Sequence, residues 1–295
     1  MRFQNPYNPS IRCTIEIKNM PTLQTLDDTS SQTDTNHHPP KSVVSESDYW
    51  EKYYHDPEMT YEWNNGELEE KAMSDFITYL MYKWFFELLE HYLRTKPIAK
   101  TVGLNIGFRL VLPHKITIRR PDLGVVLNNN PVPLSLDDKS YKGTFDLCVE
   151  AISDSSKADI ERDTISKKNE YAAGGVKEYY ILDGHSRYTA FYRLNAQRVY
   201  APIKPVKEDI IKSMVLPGFQ FRIGDLYHRP SIEEMIDDPV YQEFVLPGYR
   251  QAKQQAEVEA LARYQAEQRA EQQRLRADKF AEQLRALGIN PDDLL

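Results

Sequence analysis

Apolar positions along the chain change their period several times, and each change predicts an element. The string YEWNNGEL at 61–68 has Asn64, Asn65 and Gly66 at its centre, residues that tolerate turn geometry, which predicts a β-hairpin. Phe76, Leu80, Phe85, Leu88 and Tyr92 then recur at helical spacing ahead of Pro97, so a helix is expected over 72–94, with an apolar face broad enough to cover a sheet. From Val102 the period becomes two: Val102, Leu104, Ile106, Phe108, Leu110 and Leu112 alternate with other residues and read as one long strand. Pro113 and His114 make a turn, and ITIRRPDLGVVL resumes strand character. Residues 128–144 read as an irregular loop, 145–152 as a strand, and 158–173 as a helix stopped by Gly174 and Gly175. A buried strand at 178–182 follows, with further strands near 188–194 and 197–200, and the run 215–223 is expected to close the sheet.

This order predicts an α/β fold (α+β, mixed sheet) spanning 48–228, flanked by helices. Residues 1–47 are rich in Thr, Ser, Asn, Asp and Pro, and such a polar segment cannot bury enough apolar area to offset its ordering entropy, so a disordered tail is expected. A connector at 229–249 holds a short helix opened by the capping-box pair Ser231 and Glu234. Residues 250–287 form a long C-terminal helix of Ala, Gln, Glu and Arg, uninterrupted by Gly or Pro until Gly288; its thin apolar seam reads as a solvated helix or a weak coiled coil, and 288–295 is a short tail.

Composition narrows the class. Cys13 and Cys148 lie in unlike surroundings and lack CxxC spacing, which argues against a structural disulfide and against a thiolate zinc site. A reducing cytoplasm is expected. No window approaches the ~18 apolar residues of a membrane span. The formal net charge of -7 argues against passive coating of nucleic acid by a basic surface, but an acidic site can recruit metal cations first.

The acids carry the chemistry. Asp122 follows Pro121, whose fixed φ stiffens the chain beside the carboxylate. In the strand after the loop, Asp146, Cys148 and Glu150 point opposite to Phe145, Leu147 and Val149. Two carboxylates on neighbouring strands repel unless a cation lies between them, and hard oxygen ligands suit Mg²⁺ or Mn²⁺. On the next helix Lys167 and Tyr171 share a face with Ile160 and Thr164, turned toward the sheet. Helix phase alone does not separate Lys167 from its neighbour Lys168. Glu62 and Glu67 of the hairpin are further carboxylates, a position more often solvated.

The strings RRPDLGVVL, DLCVEAIS and RDTISKKNEYAAGGVKEYYILD, in that order after YEWNNGEL, resemble the Uma-two family of restriction endonucleases, a branch of the PD-(D/E)XK nuclease superfamily. The resemblance covers about residues 49–227, and it implies a restriction-endonuclease-like core. It implies Asp122 as the aspartate of the PD element, Glu150 as the second acid, and Asp122, Glu150 and the main chain of Ala151 as metal ligands. The superfamily's usual lysine position, two residues after the acid, holds Ile152; the family's KxxxY arrangement is met instead by Lys167 and Tyr171. Ser153 and Tyr171 are implied as supporting residues. Arg109, Lys115, Arg119 and Arg120 form a local basic cluster expected to contact backbone phosphates. The expected activity is metal-dependent hydrolysis of phosphodiesters in nucleic acid, DNA by preference, with two copies of the chain acting on a duplex. The alternative is a catalytically silent member that binds or assembles through its C-terminal helix.

Overall fold

The computed structural model describes residues 43–71, 74–103, 105–152 and 156–288. The expectations placed on the polar tail up to residue 42, on Ser153 and on the C-terminal tail from 289 lie outside the described residues. Packed chain begins ahead of the expected boundary at 48. Val44 donates its N–H to the Gly66 carbonyl, and its own carbonyl accepts from the Trp63 indole. Ser45 caps a short helix, α1 (Glu46–Asp48), which runs on into a widened turn at Tyr49–Tyr53.

The hairpin forms as expected from β1 (Tyr61–Asn64) and β2 (Glu67–Glu70), with Asn65 and Gly66 at φ 48° and 104°, the left-handed pair that a tight hairpin turn requires. Helix α2 (Phe76–Thr95) starts later than expected, because the Asp75 side chain accepts from Thr78 N and sets the cap there. Its buried seam is Met81, Trp84, Phe85, Leu88, Leu89 and Tyr92; Phe76, placed on the core face by the sequence pattern, is 73% exposed.

The stretch from Val102 to Leu112 is not one strand. It divides into β3 (Ala99–Val102) and β4 (Phe108–Val111), and the returning arm divides into β5 (Ile116–Arg119) and β6 (Leu123–Leu127). Asn105 at φ 65° turns the first arm, and Pro121, without an N–H to give the ladder, interrupts the second. Both arms thus cross between two sheets at the same level. β4 and β5 join the hairpin in a four-stranded antiparallel sheet of order β2-β1-β5-β4. β3 and β6 join β7 (Leu147–Ala151), β8 (Glu178–Leu182), β9 (Ala190–Leu194) and β10 (Tyr200–Pro202) in a six-stranded sheet of order β10-β9-β8-β7-β6-β3.

Within that sheet β7 and β8 are parallel, joined through α3 (Lys157–Glu161), a widened π turn at Arg162–Ser166 and α4 (Lys167–Gly174); the other neighbours are antiparallel. Helix α2 covers one face of the sheet, over Leu123, Val125, Leu147, Val149 and Tyr180. The opposite face packs Cys148, Ile181 and Tyr179 against Tyr171 and Ala172 of α4.

The run 215–223 does not close the main sheet. Gly218, at φ 93°, turns the chain, and only β11 (Ile210–Lys212) and β12 (Gln220–Arg222) pair, as a separate ribbon whose Ile211 and Phe221 fill the core beneath α2. Short helices α5 (Asp225–His228) and α6 (Ile232–Ile236) follow, the latter with the expected capping box. Helix α7 (Pro247–Ala286) runs for 40 residues with none of them buried. Among the described residues no helix is long and apolar enough to cross a membrane.

Candidate active site

Strand register brings the two acids together. β6 and β7 pair with Leu123 opposite Val149, so one step further along Asp122 stands opposite Glu150, beside the point where Pro121 releases the chain from the ladder. Asp122 Oδ2 accepts the Ala151 N–H at 2.7 Å, which ties the loop carboxylate to the end of β7. Its other oxygen lies 2.7 Å from Lys71 Nζ, and Lys71 also donates to the Arg120 carbonyl at 2.7 Å. Tyr82 donates to the Asp122 carbonyl, and Ser74 Oγ donates to the Ala151 carbonyl at 3.2 Å. Ser74, Tyr79, Tyr82, Asn105, Asp122 and Ala151 line an open cavity of about 260 Å³. Asp122 and Ala151 therefore face a space that a ligand can reach.

Glu150 sits on the buried side of the same junction. Tyr171 OH donates to its Oε1 at 2.7 Å, and Lys167 Nζ lies 3.2 Å from that oxygen. The inward lysine is Lys167; Lys168 instead lies 4.1 Å above the Tyr192 ring. The π turn ahead of α4 inserts an extra residue before Lys167, and Asp163 and Lys167 then meet across it at 2.9 Å. Asp163 Oδ1 lies off the hydrogen-bonding direction, so this is a contact of charge. A third carboxylate, Glu62, approaches the same ammonium at 3.3 Å. Lys167 is 1% exposed, enclosed by Glu62, Glu150 and Asp163.

Lys71 and Asp163 are residues that sequence reasoning missed, and Glu62 was weighed there as a further carboxylate but read as solvated. Glu62, between Tyr61 and Trp63 of a hairpin, reads as solvated, whereas it is 1% exposed because β1 lies between β2 and β5. Lys71, just beyond β2, carried no sequence signal for the site. Glu67, the other hairpin acid considered, is exposed on β2.

The four cations expected to meet phosphates are held by the protein's own acceptors. Arg119 is fully buried. It donates from Nε and Nη2 to Glu170 at 2.6 and 2.9 Å and from Nη1 to Glu62 at 3.1 Å, and it pairs with Glu69. Arg120 is spent on the carbonyls of Asn105 and Tyr54 and lies 4.5 Å above the Tyr54 ring. Lys115 binds Asn64 and Glu170, and Arg109 clasps both oxygens of Glu46. The physical reason is the burial of the hairpin acids against β5: an acid taken out of water needs a fixed cation beside it. Arg119 and Arg120 thus serve as interior counter-ions, while Arg109 and Lys115 keep 39% and 31% of their side chains exposed.

Charge is unevenly satisfied in this network. Burial favours a neutral Lys167, but Asp163, Glu150 and Glu62 overcome it and hold the ammonium well above its ordinary range. Burial likewise favours a neutral Glu62, yet Lys167, Arg119, Lys71 and the Arg120 N–H pull its carboxyl below the usual carboxylate range. Glu150 goes the other way. Burial, opposed by Lys167 but reinforced by Asp163 and Asp122, pushes it up to about 8. One ammonium serves three acids, so Glu150 is the member that takes up a proton when no further cation is near.

That surplus bears on a metal. Among the described residues no group of three or more His, Cys, Asp or Glu is arranged to hold an ion. Two carboxylates in register, with the Ala151 carbonyl beside them, remain. They fit a hard divalent cation of the Mg²⁺ type, which is commonly held by one or two carboxylates and completes its shell with water and substrate phosphate. A cation there also removes the proton that burial otherwise places on Glu150.

A mixed α/β core with acids in register at the bend of one strand and the end of the next, and a lysine brought in by the following helix, has the form of a restriction-endonuclease-like protein. Residues 47–224 match the family Uma2, "Putative restriction endonuclease", and the chain belongs to that family. Among solved structures, the crystal structure of a putative nuclease belonging to DUF820 from Anabaena variabilis ATCC 29413 is similar, with a TM-score of 0.45 and 13% identity, covering 57% of this chain and 90% of that one. No curated protein matches the chain.

Proposed function

We propose that the protein is a metal-dependent endonuclease that hydrolyses phosphodiester bonds of nucleic acid, DNA by preference. The convergence of Asp122, Glu150 and the Ala151 carbonyl at one sheet junction, open to a cavity on the Asp122 side, supports this reading most directly. These three groups would hold Mg²⁺ or Mn²⁺, which when bound supplies an acidified water and neutralises charge on the scissile phosphate. The chain's own residues do the rest. Asp122 is oriented by the Ala151 N–H, and Glu150 by the Tyr171 hydroxyl. Lys167, the lysine expected to orient the water, is enclosed by acids, and its ammonium keeps Glu62 ionised and opposes the burial that raises Glu150.

The test is cleavage of duplex DNA, single-stranded DNA and RNA by the full chain with Mg²⁺ or Mn²⁺. Asp122→Ala and Glu150→Gln are expected to lose about 100-fold or more while keeping the far-UV spectrum of the parent. Variants that cut as fast as the parent end the assignment.

A second reading, a catalytically silent module that assembles through α7, is favoured by one observation: all 40 residues of that helix are unburied, with Val258, Leu261 and Tyr264 exposed on successive turns. A weak coiled coil of this kind would join two copies of the chain. Thermal melting against divalent metal separates the readings, because a cation bound to the folded acids raises the melting temperature and a silent scaffold does not respond.

A further inference from the structure

We infer that Lys71, and not Lys167, is the ammonium that meets the scissile phosphate. The inference rests on the nuclease reading above and concerns which cation touches substrate at that site. A lysine that stabilises charge on a phosphoryl oxygen must present an N–H to the space the phosphate occupies. Lys167 does not: it is 1% exposed, behind Glu150, with Glu62 and Asp163 on its other sides. A phosphate reaching it has to displace a carboxylate from a buried ion pair, at a cost of several kcal/mol. Lys167 is therefore a positioning residue, acting through Glu150.

Lys71 stands on the other side of the acid pair. Its Nζ lies 2.7 Å from Asp122 Oδ1, the oxygen not taken by the Ala151 N–H. The Arg120 carbonyl, also at 2.7 Å, is its other partner among the described residues. The Arg120 carbonyl accepts one N–H and the Asp122 contact is one of charge, which leaves N–H groups of the ammonium for a further oxygen. The side chain is 13% exposed and its partner Asp122 24%, so the pair sits at the surface of the site, and Asp122 lines the cavity beside it. Tethering to the Arg120 carbonyl, at the point where both arms of the bent hairpin cross between the sheets, holds the ammonium within reach of the Asp122 carboxylate. A phosphate oxygen entering beside Asp122 meets Lys71 first. Arg119 and Arg120 are bound inside the protein, and Arg109 and Lys115 bind Glu46 and the pair Asn64 and Glu170, so of these five cations Lys71 is the one paired with Asp122.

The experiment compares full-length parent with Lys71→Met, Lys71→Arg, Lys167→Met and, as a control away from the site, Lys168→Met. The first readout is steady-state cleavage with Mn²⁺. Lys71→Met is expected to lose about 100- to 1,000-fold in kcat with KM changed far less, the loss typical of one donor to a transition-state oxyanion, and Lys71→Arg is expected to recover part of it. Its melting temperature should still rise with Mn²⁺, because the acids and the Ala151 carbonyl remain. The second readout needs no cleavage: anisotropy of a fluorescein-labelled oligothymidine in EDTA across a salt series. Lys71→Met is expected to lower the log–log salt slope by about one, as for one lost phosphate contact, and Lys167→Met and Lys168→Met to leave it unchanged. If the parent cuts and Lys71→Met matches it in kcat and slope, Lys71 has no such contact and the nuclease reading stands alone. If the parent binds without cutting and the slope still falls, the phosphate contact stands and the nuclease reading fails. A parent that neither binds nor cuts overturns both.

Discussion

Arg119 shows how a residue chosen for one role serves another. In the sequence it belongs to a basic pair before Pro121; in the fold it is the buried hub joining Glu62, Glu69 and Glu170. Burial alone raises the Glu170 carboxyl, but Arg119 and Lys115 outweigh it and hold it below its ordinary value of 4.5. A carboxyl held low binds its proton at a lower pH folded than unfolded, so its contribution to stability is complete above about pH 4.5 and drains away as pH falls through the folded value. Glu170→Gln is therefore expected to flatten the acid limb of the stability curve, measured by urea denaturation between pH 3 and 7. Lys167→Met strands three carboxylates around an apolar chain and should cost about 3–5 kcal/mol of unfolding free energy. Adding Glu150→Gln should restore part of that loss, and strictly additive effects would show that the contact carries no coupling. At this scale the acid pair was legible, because Asp122 after Pro121 and Glu150 in an apolar run are local signals. Glu62 and Lys71 were not, because their partners are distant in sequence and nothing nearby distinguishes them from solvated hairpin residues.

The elements that set the site are the bent hairpin, the N-terminal turn of α2 and the π turn before α4. Their types were readable from period and caps; their breaks were not. The alternation from Val102 to Leu112 looks continuous because period two persists through the bend, yet a Cβ on Gly107 would stand 2.9 Å from the Arg119 carbonyl, so the two arms touch where a longer strand would separate them. Helix α2 ends its approach on Gly184, where an added Cβ would lie 2.7 Å from Thr78 N and 2.9 Å from the Ile77 carbonyl carbon, both backbone atoms that cannot swing aside. Gly184→Ala is expected to cost about 1–3 kcal/mol and to push the turn carrying Thr78 off its hydrogen bonds to Ile152 and Gly184. Chemical denaturation reads the first effect. The second appears as weakened cleavage, because the same turn follows Ser74, which holds the Ala151 carbonyl. Gly248→Ala, with nothing within 4 Å, is the matched control and should be neutral or slightly stabilising.

For the molecule as a whole, α7 is a long element with no share in the core. Its links to the rest include Lys253 to Asp237 at 3.3 Å, an exposed pair worth little. Truncation beyond residue 257 is expected to leave the melting temperature within a few degrees of the parent, while sedimentation of the parent against the truncated chain reports whether α7 joins two copies. A large drop in melting temperature would mean that the helix covers something in solution. The sequence by itself determined the order and type of most elements, the long exposed helix, the acids Asp122 and Glu150, and through its strings the family. Those are local properties: hydrophobic period, caps, and residue types at short spacing. Only the tertiary structure decided that one apparent strand serves two sheets, that Arg119 and Arg120 are interior counter-ions, that Lys167 is the inward member of its pair, that Glu62 joins the acids around it, and that Lys71 pairs with Asp122. Each of those depends on which strand lies beside which, and a charge is functional or structural according to the neighbour that long-range pairing brings within a few ångströms of it.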